Sequence, residues 1–164
     1  MDFHTRLLNW SLPTLLLGVP LCAALALERA GAAGQQDSLM KFQDVPAQAI
    51  QFIRWEKSIS LSAEQKELRR QVLSKIAAPC CKESDLSTCC CPCNLVKSVW
   101  GLSNYLIVER KASAETLDKT VREWVRATNP SGYSGDGCTT EACARPFSEG
   151  GCGGMDDTHP NPGK

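Results

Sequence analysis

Ser87 to Val108 reads "STCCCPCNLVKSVWGLSNYLIV", and its second half decides the fold. From Asn94 onward, Leu95, Val99, Leu102 and Leu106 recur at three- and four-residue spacing, with Val96, Trp100 and Ile107 beside them. That is the period of a helix with a broad apolar face, not the two-residue alternation of a half-buried strand. Gly101 interrupts this face. It weakens the helix by about 1 kcal/mol relative to alanine, or admits the close approach of a neighbour. The first half places Cys89, Cys90, Cys91 and Cys93 around Pro92, directly before the helix.

Working outward, the same helical period returns on both sides. Upstream, "DVPAQAIQFIRWEKS" (Asp44–Ser58) has a capping aspartate, a proline suited to the first turn, and Ala49, Ile50 and Ile53 as an apolar stripe. Next, Ser62 and Gln65 have capping-box spacing, followed by Leu68, Val72 and Ile76 with Leu61, Leu73 and Ala77, and Pro79 as the expected stop. Downstream, Ser113 and Glu115 open a helix carrying Leu117, Val121, Trp124 and Val125, which Asn129-Pro130 closes. The tryptophans Trp55, Trp100 and Trp124 fall on or beside these faces as core packers. Cys80–Cys93 reads as a cysteine-bearing loop, and no stretch alternates long enough to suggest a sheet. The expected fold is therefore all-α: a small bundle of three to four short helices over residues 44–129, with a cysteine-rich loop. A core of this size often needs staples or oligomerisation.

After Pro130 the composition changes. Residues 130–164 hold 8 of the 12 glycines and few apolar side chains, so the expectation is a flexible, disordered tail. It carries Cys138, Cys143 and Cys152, for which accessory roles are expected. At the other end, Arg6 precedes the apolar run "LPTLLLGVPLCAALAL" (Leu12–Leu27) and the small residues of "ERAGAAG". Residues 1–33 thus have the order of a secretory signal peptide, or of a membrane anchor that would tether the chain. Either places the protein outside the cytoplasm, in a bacterial periplasm or secreted, and an uncleaved segment would hold it at the inner membrane.

The chain has 164 residues, zero formal net charge and ten cysteines. Residues 41–126 carry 14 Lys and Arg against 10 Asp and Glu, with no compact basic run, so the expectation is no nucleic-acid partner. The cysteine abundance fits an oxidising compartment or a metal-binding protein. Removal of a leader containing Cys22 would leave nine cysteines, an odd number that argues against a purely structural disulfide framework. The two histidines, His4 and His159, lie near the two ends, and nothing points to hydrolytic catalysis.

Three chemistries remain open for the cysteines. Cys90 and Cys93 form a C-x-x-C at a helix start, where unpaired N–H groups favour a thiolate and a second thiol lies near enough to resolve a mixed disulfide. On this reading they are the catalytic pair, Cys90 the attacker and Cys93 the resolver, with no cofactor and a thiol or disulfide of another envelope protein as partner. Alternatively, Cys80, Cys81, Cys90 and Cys93 supply four thiolates to Zn²⁺ or copper. The third possibility is that Cys80 or Cys81 bridges to the later cluster and staples two helices in an interaction protein. The spacing fits neither common two-cluster iron–sulfur pattern, and Asn94 stands where haem attachment needs histidine.

Over about residues 60–130 the order helix, cysteine loop, helix, helix resembles the periplasmic cytochrome c maturation thiol-oxidoreductases. The likeness rests on Cys90–Cys93 followed by the amide Asn94, and on "SAETLDKTV" (Ser113–Val121). It implies a three-helix fold, reduction or resolution of apocytochrome disulfides, and Cys90 and Cys93 as the working pair. The chain departs from that pattern in having "STC" before the motif and in the extra Cys80, Cys81, Cys89 and Cys91.

Overall fold

A computed structural model describes residues 39–89, 91–133, 143–149 and 151–156. The leader and Cys90 lie outside the described residues, as does Cys138. The element order is α1 (Val45–Ser58), α2 (Ala63–Leu73), β1 (Ala77–Ala78), β2 (Cys81–Asp85), α3 (Asn94–Val108), α4 (Ala114–Thr128) and a 3-10 turn at Phe147–Glu149. The protein is a predominantly helical small domain, as its apolar periodicity implies.

Each expected cap forms. The Asp44 carboxylate accepts from the Ala47 N–H at 3.1 Å. Ser62 Oγ accepts from the Gln65 N–H at 3.3 Å, and Gln65 Oε1 accepts from the Ser62 N–H at 2.9 Å, a reciprocal capping box. Ser113 Oγ accepts from the Thr116 N–H at 3.2 Å and starts α4.

Two local features differ from the sequence reading. Helix α2 ends at Leu73, well before Pro79, and closes through tight turns in which Lys75 and Ile76 donate to Val72 and Leu73 carbonyls at 3.2 and 3.1 Å. The chain then makes a small antiparallel hairpin, β1 with β2, where a plain loop is expected. Its strands are too short for a period-two pattern to register, and Ala77, expected on the core face, is exposed while Ala78 and Cys80 are buried.

Helix α3 is the centre of the domain. Leu95, Val96, Val99, Leu102, Leu106 and Ile107 are all buried, and α1, α2 and α4 pack around them. At Gly101 the backbone of α1 comes so close that a Cβ would lie 1.7 Å from the Phe52 carbonyl oxygen. The glycine is therefore a contact point between helices. Next to it, Phe52 meets Trp124 edge-on at 4.8 Å between ring centroids and stacks on Trp55 at 5.1 Å. Trp55 in turn stacks on Tyr105 at 4.0 Å. Buried polar groups are tied in: Trp124 Nε1 donates to Ser98 Oγ at 2.9 Å, and Asn104 accepts from Arg69 at 2.8 Å while donating to the Ile59 carbonyl at 3.1 Å.

The described part of the tail is packed, in contrast to the expectation of a flexible segment. Cys143, Phe147 and Cys152 are buried. Residues 151–156 lie against the start of α3, where the N-cap residue is Cys93 and no side chain caps the helix. The Asn94 and Leu95 N–H groups donate instead to the carbonyls of Gly154 and Cys152, at 2.8 and 3.0 Å. Asn94 Nδ2 donates to Gly153 O and Asp156 O at 2.8 and 2.7 Å, and Lys97 Nζ to Met155 O at 2.9 Å. The tail is held by pairing its carbonyls with the orphan donors of a helix start, an interaction that a count of apolar side chains does not register. Among the described residues no helix is long and apolar enough to cross a membrane.

Candidate functional site

Three chain segments bring thiols together beneath the start of α3. The hairpin supplies Cys80, the loop and helix start supply Cys89 and Cys93, and the docked tail supplies Cys152. The Cys80 thiol lies beside those of Cys152, Cys89 and Cys93, and Cys93 beside Cys152. Cys80, Cys93 and Cys152 are buried to 4%, 1% and 1% exposure, whereas Cys89 is half-buried and so reaches the surface. The described cysteines carry no disulfide bond.

Local chemistry positions each of them. Asp85 accepts from the N–H groups of Ser87 and Thr88 at 2.7 and 3.2 Å, turning the loop after β2 back toward the helix start. Those bonds, that from the Ser87 hydroxyl foremost, hold the Asp85 carboxyl below its ordinary range. Gly153 has φ +74°, and a Cβ there would meet the Phe147 ring at 2.5 Å. That left-handed position lets the tail turn beside Cys152.

The thiols are electrically unequal. Hydrogen bonds from Cys152 and Cys80, with smaller help from the Val96 and Leu95 N–H groups, outweigh burial and lower Cys93 to about 3. Cys93, at the positive end of α3, is thus the thiol of the set most favoured for ionisation. Cys80 is raised far above its ordinary value by bonding to Cys152, Cys89 and Cys93 and by burial. For Cys152 the bond with Cys80 works downward, but that with Cys93 and burial prevail and raise it. Tyr133 is also raised, by burial first, against the lowering effect of the 2.9 Å hydrogen bond its hydroxyl shares with Thr128 Oγ1. It lines a cavity of about 510 Å³ with Ile76, Arg122, Arg126 and Asn129.

Of the expected site residues, Cys93 and Cys80 are brought together. Cys81, expected as a metal ligand, directs its Sγ to Ser84 Oγ at 3.5 Å. Cys90, expected both as attacker and as ligand, lies outside the described residues. Cys89 and Cys152 join the site without having been assigned to it by sequence. For Cys152 a signal was available: "GGCGG" (Gly150–Gly154) surrounds the cysteine with residues that permit close backbone approach. Asn94, next to Cys93, is fully buried and its Oδ1 has no hydrogen-bond partner among the described residues.

No family model matches the chain, and comparison with curated proteins and with solved structures finds no match either.

Proposed function

We propose that the protein is a thiol–disulfide redox protein acting outside the cytoplasm on a disulfide or thiol of another envelope protein. The observation that carries this reading is the place of Cys93: the N-cap of α3, buried, with Cys152 brought beside it by the tail whose carbonyls accept from the Asn94 and Leu95 N–H groups. Exchange requires a nucleophilic thiolate and a second thiol close enough to complete the transfer; a helix start favours the first, and the neighbouring cysteines supply candidates for the second. By spacing, Cys90 is the motif partner of Cys93 and its nearest neighbour in the chain among the candidates for initial attack. The resemblance to cytochrome c maturation thiol-oxidoreductases supports the same chemistry, with an apocytochrome-like disulfide as one substrate. Residues 1–33 would deliver the domain, either as a cleaved signal or as a tether to the membrane.

Metal binding is the second reading, favoured by the meeting of four sulfurs from three chain segments, a donor set suited to Zn²⁺ or Cu(I). Among the described residues, however, no group of three or more His, Cys, Asp or Glu side chains is arranged to hold an ion. The redox reading takes precedence because a C-x-x-C pair at a helix start suits thiol exchange directly.

The test is an equilibrium titration of the purified chain across a glutathione redox series, with thiols counted by alkylation and intact mass and metal measured in the same sample. Reversible loss and recovery of a thiol pair supports the redox reading. Stoichiometric zinc or copper with thiols that never cycle replaces it with the metal reading.

A further inference from the structure

We propose that the cleft between the end of α2, the start of the hairpin and the last turns of α4 binds an apolar carboxylate, whose hydrocarbon part enters the cleft while its carboxylate meets Arg126. This goes beyond the thiol reading and does not depend on it. The cleft holds about 510 Å³, within the size range of small-ligand sites. Its apolar surface comes from Ile76, Val125 and Tyr133 and its charge from Arg122 and Arg126, and among the described residues no acidic side chain lines it.

The walls are fixed before any ligand arrives. The Ile76 N–H donates to the Leu73 carbonyl at 3.1 Å, and the Ile76 carbonyl accepts from the Leu86 N–H at 2.9 Å. The opposite wall is a closed turn. Asn129 Nδ2 donates to the Gly132 carbonyl at 2.6 Å, and the Gly132 N–H returns to the Asn129 carbonyl at 3.0 Å. The Tyr133 ring is held by the 2.9 Å hydrogen bond of its hydroxyl with Thr128 Oγ1. The two arginines differ. Arg122 is clamped by Asp118 at 2.9 and 3.1 Å and donates to the Lys75 carbonyl at 3.1 Å, so its charge is largely offset. Arg126 lies one turn further along α4 and is exposed, and among the described residues no hydrogen bond or ion pair engages it. Its planar fork of donors matches a carboxylate, and the apolar wall beside it gives the rest of an acid a place to bury. The carbonyls at the end of α4 repel an anion. The carboxylate therefore belongs on the flank of the helix, beside Arg126 and Arg122, with the hydrocarbon part toward Val125 and Tyr133. A small free acid and the C-terminal residue of a polypeptide share this chemistry.

The experiment is a calorimetric titration of the full chain, in constant reductant, with phenylbutyrate and its amide, and with acetyl-leucyl-phenylalanine as free acid and as amide. At least one acid should bind saturably, and about tenfold or more tightly than its amide, as a charge-assisted hydrogen bond requires. In Arg126→Gln that acid should lose at least about tenfold in affinity. Arg110→Gln, which removes an exposed arginine that does not line the cleft, should leave it unchanged. Tighter binding of the dipeptide acid assigns the site to a polypeptide C-terminus, and tighter binding of phenylbutyrate to a small free acid. Equal binding of acid and amide overturns the recognition of a carboxylate. Equal losses in Arg110→Gln and Arg126→Gln overturn the cleft as the place of binding. No saturable binding of either acid overturns the proposal and leaves the thiol reading intact. Acid-induced amide shifts in the unmodified chain, read by nuclear magnetic resonance, should centre on Val125, Gly132 and Tyr133. Shifts centred elsewhere overturn the proposal even if Arg126→Gln fails to fold.

Discussion

Replacing Gly101 with alanine tests the packing that holds α3 against α1. On an exposed helix the change would stabilise by about 1 kcal/mol. Here the new Cβ would sit 1.7 Å from the Phe52 carbonyl oxygen, and 2.7 Å from both Phe52 C and Glu56 N. Contacts under 3.0 Å are not tolerated, so the helices must part by at least 1.3 Å along that line. The obstacle is backbone, and no rotamer change relieves it. Overpacking of this kind costs about 3 kcal/mol, at the upper end of the usual range. After the gain in helix propensity, the net loss is about 2 kcal/mol, or a fall in Tm of about 8–16 °C for a domain near 100 residues. Thermal unfolding followed by circular dichroism, in constant reductant, reads this directly. The parting would also shift Phe52 relative to Trp124, so tryptophan fluorescence should change in the folded state. A Tm equal to or above wild type would refute the close approach of α1 and α3.

Four further outcomes are expected. Asn94→Ala removes the donors to Gly153 O and Asp156 O, so residues 151–156 should loosen; amide exchange at Leu95, which donates to Cys152 O, should accelerate while α4 stays protected. Trp124→Phe leaves the packing largely filled but deletes the bond to Ser98 Oγ, for a loss of about 1–2 kcal/mol in denaturant unfolding. Ser113→Ala should cost about 1 kcal/mol through the lost α4 cap, measured the same way, with no change in thiol reactivity. The pH dependence has a definite sign. The folded value of Cys93, about 3, lies below its unfolded value, so its contribution is present in full above the unfolded value and is lost as pH falls toward 3. Cys80 is raised, so its contribution is present below its unfolded value and is lost as pH rises. Ultraviolet thiolate absorbance should therefore persist to about pH 5, where an ordinary thiol is protonated, and vanish in Cys93→Ser.

The helices were legible because their signals are local. Asp44, Ser62 and Ser113 each cap a helix within three residues of their own position, and Leu95, Val99, Leu102 and Leu106 state the period directly. The end of α2 was less so: Pro79 forbids continuation, but the chain left the helix earlier, through turns whose sequence carries no strong breaker. The hairpin escaped notice because two residues facing five cannot display an alternation. At the site, Cys93 was legible from its place before a helix, and Cys80 from its pairing with a second cluster. Cys152 was not assigned, because its partnership with α3 is made by backbone carbonyls across 59 residues, and the tail's composition argues for looseness. Gly101 shows the opposite case, where an apparent weakness in a helix already indicated a close neighbour.

The docking of the tail on α3 also sets an order of events. As the chain emerges from a ribosome, Cys80, Cys89 and Cys93 are all available before Cys152 has been made. At about 5–20 residues per second, the 59 residues between Cys93 and Cys152 correspond to about 3–12 s. The helices can begin to assemble in that interval, since the caps of α1, α2 and α4 need nothing from the tail. The sulfurs cannot take up their final arrangement. A helix start with two uncovered N–H groups and an uncovered Cys93 therefore precedes the finished protein, and arrival of the glycine-flanked segment is the step that closes it. Disulfides formed earlier would draw on Cys80, Cys89 and Cys93 alone, making the timing of oxidation a determinant of which bonds the nascent domain acquires.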